Sequence, residues 1–209
     1  MKKIKTITPQ ILVGIAILAL AIFILTRSGE TYRKAEEQKM ITSTPTPAIP
    51  KIEKKTYEKF PGVLAENQRL GKKAKISTAK GEIVFDIFGD EAPKAASNFI
   101  FLAKDGFYDG LAFHRVVPSF VIQGGDPKGD GTGGPGYQFE DEPIKRDYEK
   151  GMVAMANSGP NTNGSQFFIM LEDKKDLPKN YTIFGKVTSG MDIVSKIAVG
   201  DVMEKVTIE

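Results

Sequence analysis

The sequence predicts a mainly β domain, a closed barrel with helices plugging its ends, carried behind an N-terminal membrane-spanning helix and a tether. Three observations predict it. From Lys75 onward, short runs rich in Val, Ile and Phe alternate with clusters of Gly, Pro, Asn and Asp. Two amphipathic segments interrupt those runs. Near the N-terminus, Ile11 to Leu25 is an unbroken apolar run of 15 residues.

In chain order, residues 1–6 are a basic tail with Lys2, Lys3 and Lys5. Residues 7–26 carry no charge. At about 1.5 Å per residue a helix of that length reaches about 30 Å, the thickness of the hydrocarbon layer. A cleaved signal peptide is the competing reading. Thr26-Arg-Ser-Gly-Glu30 is a poor match to the small-x-small pattern of a cleavage site, so 7–26 is read as an uncleaved transmembrane anchor. The flanking cations are close to a tie, with Arg27, Arg33, Lys34 and Lys39 following the run. The short tail is a signal-anchor layout, and large domains translocate with little regard to charge. Together these place the C-terminal domain outside the cytoplasmic membrane. Residues 27–71 read as a tether. Thr42 to Pro50 is rich in Pro and Thr and extended, and Arg33 to Lys39 suits a short polar helix. Phe60-Pro-Gly-Val-Leu64 is an apolar island that either docks on the domain or simply turns.

Residues 72–209 read as the folded domain. Ile76-Ser-Thr78, Ala79-Lys-Gly81 and Ile83 to Phe88 form a hairpin, with Ile83, Phe85 and Ile87 on one face. A helix begins at Asp90-Glu-Ala-Pro93, where the acid can cap and Pro suits the first turn. Phe99, Leu102 and Ala103 form its inner stripe, with Ala95 and Ala96 one turn earlier, and Gly106 ends it. Further β-type runs cover Leu111–Val117, Phe120–Gln123, Met152–Asn157, Gln166–Leu171, Ile183–Val187 and Lys205–Ile208. A second helix fits Met191–Ala198.

Composition narrows the function. There is no cysteine, which excludes disulfides, thiolate nucleophiles, Cys-based metal sites and a lipoprotein-type lipid anchor. Residues 1–75 hold 15 Lys/Arg against 6 Glu, while the remainder holds 14 against 20 acids. The globular part is therefore acidic, which argues against nucleic acid as a partner. The basic tail is either a solvated linker or a contact for lipid head groups. Gly129-Asp-Gly131-Thr-Gly-Gly134 fits the spacing of a dinucleotide loop, but no helix pattern follows it, so no nucleotide cofactor is expected. Asp126, Asp130, Glu140, Asp141 and Glu142 lack the order of a calcium loop and read as a solvated acidic rim. With one histidine and no cysteine, no metal site is expected.

Three segments carry the strongest signal. They are Phe113-His114-Arg115-Val-Val-Pro118-Ser-Phe120-Val121-Ile-Gln123-Gly-Gly-Asp126, then Gly131-Thr-Gly-Gly134, then Met155-Ala156-Asn157-Ser158-Gly-Pro160-Asn161-Thr-Asn-Gly164-Ser-Gln166-Phe167-Phe168-Ile169. In this order and spacing they resemble the cyclophilin family of peptidyl-prolyl isomerases, over roughly Lys75 to Glu209. The resemblance implies eight antiparallel strands closed into a barrel with two capping helices, no cofactor, and proline-containing polypeptides as substrates. It puts the catalytic Arg on Arg115. It puts the walls of the proline pocket on Phe120, Val121, Phe168 and Leu177, with Tyr181 where many relatives have His. Gln123 would hold the substrate backbone, Asn157 would offer main-chain contacts, and Gln166 stands among the substrate-binding positions. Gly131 and Ser158 resemble the floor of a neighbouring pocket, and Ala156 lines the same groove. His114 would shape the surroundings of the Arg; isomerisation needs no proton transfer, so it is no acid or base. Asp176 stands where many relatives have a Trp linked to cyclosporin binding, which implies weak cyclosporin sensitivity. A poorly catalytic proline-peptide-binding chaperone is the alternative reading.

Overall fold

The structure, a computed structural model, describes residues 55–209. Eight strands form one sheet: β1 (Lys73–Thr78), β2 (Gly81–Ile87), β3 (Arg115–Val117), β4 (Val121–Gly124), β5 (Met152–Met155), β6 (Phe167–Met170), β7 (Ile183–Ser189) and β8 (Lys205–Ile208). Their order is β3-β4-β6-β5-β7-β2-β1-β8, and every neighbouring pair is antiparallel. Among the described residues three helices accompany the sheet: α1 (Glu66–Arg69), α2 (Pro93–Lys104) and α3 (Met191–Val194). The predicted anchor at 7–26 lies outside the described residues.

The sheet curls into a half-barrel, and the expected closure is corrected at one place. No ladder joins the end strands β3 and β8. The seam is held instead by residues just before each strand. Ala112 and Val202 form one isolated antiparallel bridge, flanked by Phe113 N–H to Asp201 C=O (2.8 Å) and Met203 N–H to Leu111 C=O (2.8 Å). The predicted strand Leu111–Val117 is thus divided. Its first half serves the seam and only Arg115–Val117 pairs with β4.

Burial explains why the central strands have no polar face. In β6, Phe167 and Ile169 join the main core, while Phe168 and Met170 join a second cluster on the opposite face. In β5, Val153 and Met155 face the main core, and Met152 and Ala154 face the second cluster. Successive strand side chains point to opposite faces, so one four-residue strand serves both clusters. The main core centres on Phe99 of α2, whose ring stacks on Tyr108 (4.9 Å) and meets Phe167 edge-on (5.5 Å). The inner stripe read from the sequence, Ala95, Ala96, Phe99, Leu102 and Ala103, is buried as expected.

Two helix expectations are corrected. Asp90 does not cap α2; the N-cap is Ala92, which offers no side-chain acceptor. The first-turn donors go to Glu142, 47 positions away from Ala95, whose carboxylate oxygens accept from Lys94 N–H (2.7 Å) and Ala95 N–H (2.8 Å). The second helix stops at Val194 rather than Ala198, because the chain tightens: Lys196 N–H bonds Ile193 C=O, three residues back. The Ala198 N–H then turns to the Asp201 carboxylate at 2.6 Å.

Residues 55–71, which the sequence assigns to the tether, pack on the domain. Phe60 stacks on Phe139 (5.1 Å), Leu64 N–H bonds Ser97 Oγ (2.9 Å), and Arg69 donates to the Gly89 carbonyl. Glu142→Ala should destabilise the domain by about 1–2 kcal/mol, the usual cost of a lost N-terminal cap. Urea unfolding reads this as a lower midpoint at unchanged slope; an unaltered midpoint would show that α2 does not depend on that carboxylate.

Candidate active site

The site grows from one row of residues across the sheet. Register aligns Arg115 with Gln123, Gln123 with Phe168, Phe168 with Ala154, and Ala154 with Ile183. Residues directly opposite share a face, so this row lies on the face away from the main core. Arg115 and Phe168 are two strands apart, roughly 10 Å at the usual spacing. Between them opens a cavity of about 290 Å³ lined by Arg115, Phe120, Val121, Gln123, Ala156, Asn157, Phe168 and Tyr181.

The β3–β4 turn sets the apolar wall. Phe120 N–H bonds Val117 C=O (3.0 Å) across a turn that carries Pro118 and then Ser119 at φ 58°. A non-glycine residue in that left-handed region is uncommon. The turn brings the Phe120 ring beneath the guanidinium, 5.9 Å from ring centroid to Cζ. On the far wall Tyr181 meets Phe168 edge-on at 5.5 Å. Tyr181 is anchored through its backbone: its N–H donates to Tyr148 Oη and its carbonyl accepts from the same hydroxyl, both at 2.9 Å.

A polar chain holds Arg115. Its Nη1 donates to Gln123 Oε1 (3.1 Å), and Gln123 Nε2 donates to Gln166 Oε1 (3.0 Å). Gln166 Nε2 then donates to the carbonyls of Gly131 and Gly133, each at 2.9 Å. Among the described residues no carboxylate lies within ion-pair distance of Arg115. Four of the five guanidinium N–H donors are left for another acceptor. The Gln123 amide, by contrast, is already committed on both atoms, leaving one N–H for any further partner.

Gly131, Ala156, Ser158 and Gln166 line a second hollow of about 520 Å³, which shares Gln123, Ala156 and Asn157 with the first. The backbone N–H and C=O of Asn157 have no partner among the described residues, and its side-chain Nδ2 is tied to Asn180 C=O (2.9 Å). The rim therefore offers one free backbone donor and acceptor just beyond the end of β5. Leu177 lies outside the 290 Å³ cavity; with Asp173 to Pro178 it forms a hollow on the other side of Phe120. His114 is also outside, and both its ring nitrogens are buried without a partner among the described residues.

The expected acidic rim holds at Asp130 and Glu140, which are exposed, and is corrected at Asp126 and Glu142. Asp126 is 1% exposed and folds its own loop, accepting from the N–H groups of Lys128 (2.8 Å), Asp130 (3.1 Å) and Gly131 (2.5 Å). Glu142 is buried beneath α2. The glycine motif 129–134 leads into no helix, as its setting in the sequence predicts. What the sequence reading missed is the wall of the second hollow, Pro135 to Gln138. Its one signal was the Gly/Pro density at 133–136, which marks a turn but not what the turn faces.

Residues 73–209 match the family described as "Cyclophilin type peptidyl-prolyl cis-trans isomerase/CLD". A peptidyl-prolyl cis-trans isomerase of Helicobacter pylori is 45% identical over 160 residues, covering 73% of this chain and 93% of that protein. Peptidyl-prolyl cis-trans isomerase B of Bacillus subtilis is 48% identical over 130 residues, covering 61% and 91%. A crystal structure of a Cryptosporidium parvum cyclophilin type peptidyl-prolyl cis-trans isomerase, in the presence of the dipeptide Ala-Pro, aligns with a TM-score of 0.61 at 34% identity, covering 66% of this chain and 98% of that one.

His114 gives a pH dependence. Desolvation holds its pKa below the usual histidine value, against the pull of the Asp126 carboxylate. The unfolded chain binds this proton near pH 6.5 and the native state resists it, so stability is lost as pH falls from about 6.5 toward the depressed native value. Urea midpoints at pH 7.5 and 5.5 should therefore differ less in His114→Gln than in wild type; an equal drop in both would assign the loss to other groups.

Proposed function

The chain belongs to the cyclophilin-type peptidyl-prolyl cis-trans isomerase family, and on that premise we propose that Arg115 is its catalytic residue. Rotation about an X-Pro bond is slow because amide resonance sets a barrier of roughly 18–20 kcal/mol. No bond breaks, so no nucleophile is needed. At the twisted midpoint the prolyl nitrogen becomes pyramidal and regains its lone pair. A donor aimed at that lone pair binds the twisted form better than either planar form, and this difference is the catalysis.

The single observation that carries the reading is the row Arg115–Gln123–Phe168 with Phe120 beneath the guanidinium. The proline ring sits among Phe120, Val121, Phe168 and Tyr181, and Leu177 meets the chain where it leaves the pocket. Asn157 pairs with the extended substrate through its open backbone, and Gln123 uses its remaining N–H. The residue two before proline enters the second hollow, over Gly131, Ala156, Ser158 and Gln166. A charge-assisted hydrogen bond contributes roughly 1.5–3 kcal/mol, whereas a ten-thousand-fold acceleration needs about 5.5 kcal/mol. Apolar desolvation of the planar amide and contacts to its carbonyl supply the difference.

The second part of the proposal is placement. Residues 7–26 anchor the chain in the cytoplasmic membrane, and the domain works outside it on newly translocated or unfolded polypeptides. The support is the charge-free 20-residue run and the basic tail before it.

In a protease-coupled proline-peptide assay, Arg115→Ala should lower kcat/KM by about tenfold to a hundredfold, the equivalent of roughly 1.5–3 kcal/mol, while peptide binding persists. Wild-type speed in Arg115→Ala would remove Arg115 from catalysis, and a wild type no faster than background would leave the chaperone reading. For placement, protease added to intact cells should digest the domain and leave a membrane-bound fragment; full protection with the membrane intact would reverse the orientation.

A further inference from the structure

The 27 residues from Gly125 to Gly151 contain no helix and no strand of the sheet, yet they wall the second hollow. A loop of this length keeps its shape only where something braces it. Its inner edge is braced by Gln166, through the carbonyls of Gly131 and Gly133. Its outer edge is braced by a segment that lies before residue 73, where the family match begins. Tyr57 N–H donates to Pro135 C=O at 2.8 Å. Gly136, at φ 101°, presses so closely on this segment that a Cβ there would sit 2.6 Å from Tyr57 O and 2.9 Å from Thr56 Cγ2. The Tyr137 ring meets Tyr57 edge-on at 6.3 Å and Phe60 at 6.1 Å. The opposite end of Tyr137 donates through its hydroxyl to Asn98 Oδ1 (2.7 Å), and Asn98 Nδ2 donates to Gly164 C=O (2.8 Å). Pro135, Gly136, Tyr137 and Gly164 all face the hollow. Tyr57 is also fixed from outside, its hydroxyl on Asp105 Oδ2 at 2.6 Å.

We propose that Tyr57 and Phe60 are positioning residues for the wall of the second hollow, so that the last stretch before the barrel tunes how tightly the enzyme grips the residue two before proline. The inference rests on the substrate reading of that hollow given above. Neither ring touches the 290 Å³ cavity, so the chemical step at Arg115 is spared and the effect falls on substrate affinity.

The test uses the full 209-residue chain and two proline peptides, one with a methionine two residues before proline and one lacking that residue. In Tyr57→Ala/Phe60→Ala the longer peptide's KM should rise by about three- to tenfold, the loss of one positioning contact. Its kcat should hold, and the shorter peptide should be turned over as by wild type. Amide exchange across 131–138 should quicken in the same variant, and Phe60→Leu with Tyr57 retained should restore the wild-type KM. An unchanged KM for the longer peptide overturns the proposal, and so does an equal loss on both peptides, which would mark a general loosening. If wild type itself treats the two peptides alike, the substrate reading of the hollow fails first and takes this inference with it.

Discussion

Phe167 and Phe168 are adjacent in sequence and must point to opposite faces of one strand. Phe167 closes the main core against Phe99 and Tyr108; Phe168 closes the 290 Å³ cavity. The rest of the molecule depends on this alternation. A slip of one residue in β6 would exchange the two rings, emptying the site into the core. The register is held because both faces are buried and both neighbours, β4 and β5, are loaded the same way. The packing that stabilises the domain and the geometry of the 290 Å³ cavity are therefore one arrangement seen from two sides.

On that surface the structure keeps one cation available. Arg115 is exposed and has no carboxylate partner among the described residues; it leans on Phe120 and on one glutamine. An ion pair would occupy the donors that the proposed role of Arg115 requires. The chain Arg115–Gln123–Gln166 ends on two carbonyls of the glycine loop, so the guanidinium and the second hollow share a single run of hydrogen bonds. Donors fixed before the substrate arrives need no reorganisation at the moment of rotation, which is where such electrostatic catalysis gains its effect.

Outside the sheet, distant partners complete what local sequence leaves open. Glu142 serves the donors of α2, Asp126 folds the loop that shapes Gly131, and Tyr57 reaches Pro135. Each contact joins segments that carry no signal of one another in the sequence. Together they turn a loop without regular structure into one wall of the second hollow.

The sequence alone determined the β-type runs and the inner stripe of α2, because alternation and helical period are local properties of the chain. Arg115, Phe120, Val121, Gln123, Ala156, Asn157 and Phe168 were legible through the family resemblance of two contiguous motifs that the sheet brings together, and Tyr181, outside both motifs, through the same resemblance. Tertiary structure decided the rest. It put His114 and Leu177 outside the cavity, gave the capping of α2 to Glu142 rather than Asp90, buried Asp126, and left β3 and β8 joined by a seam instead of a ladder. Those outcomes turn on which buried donor finds which acceptor across tens of residues, and no periodicity records that choice.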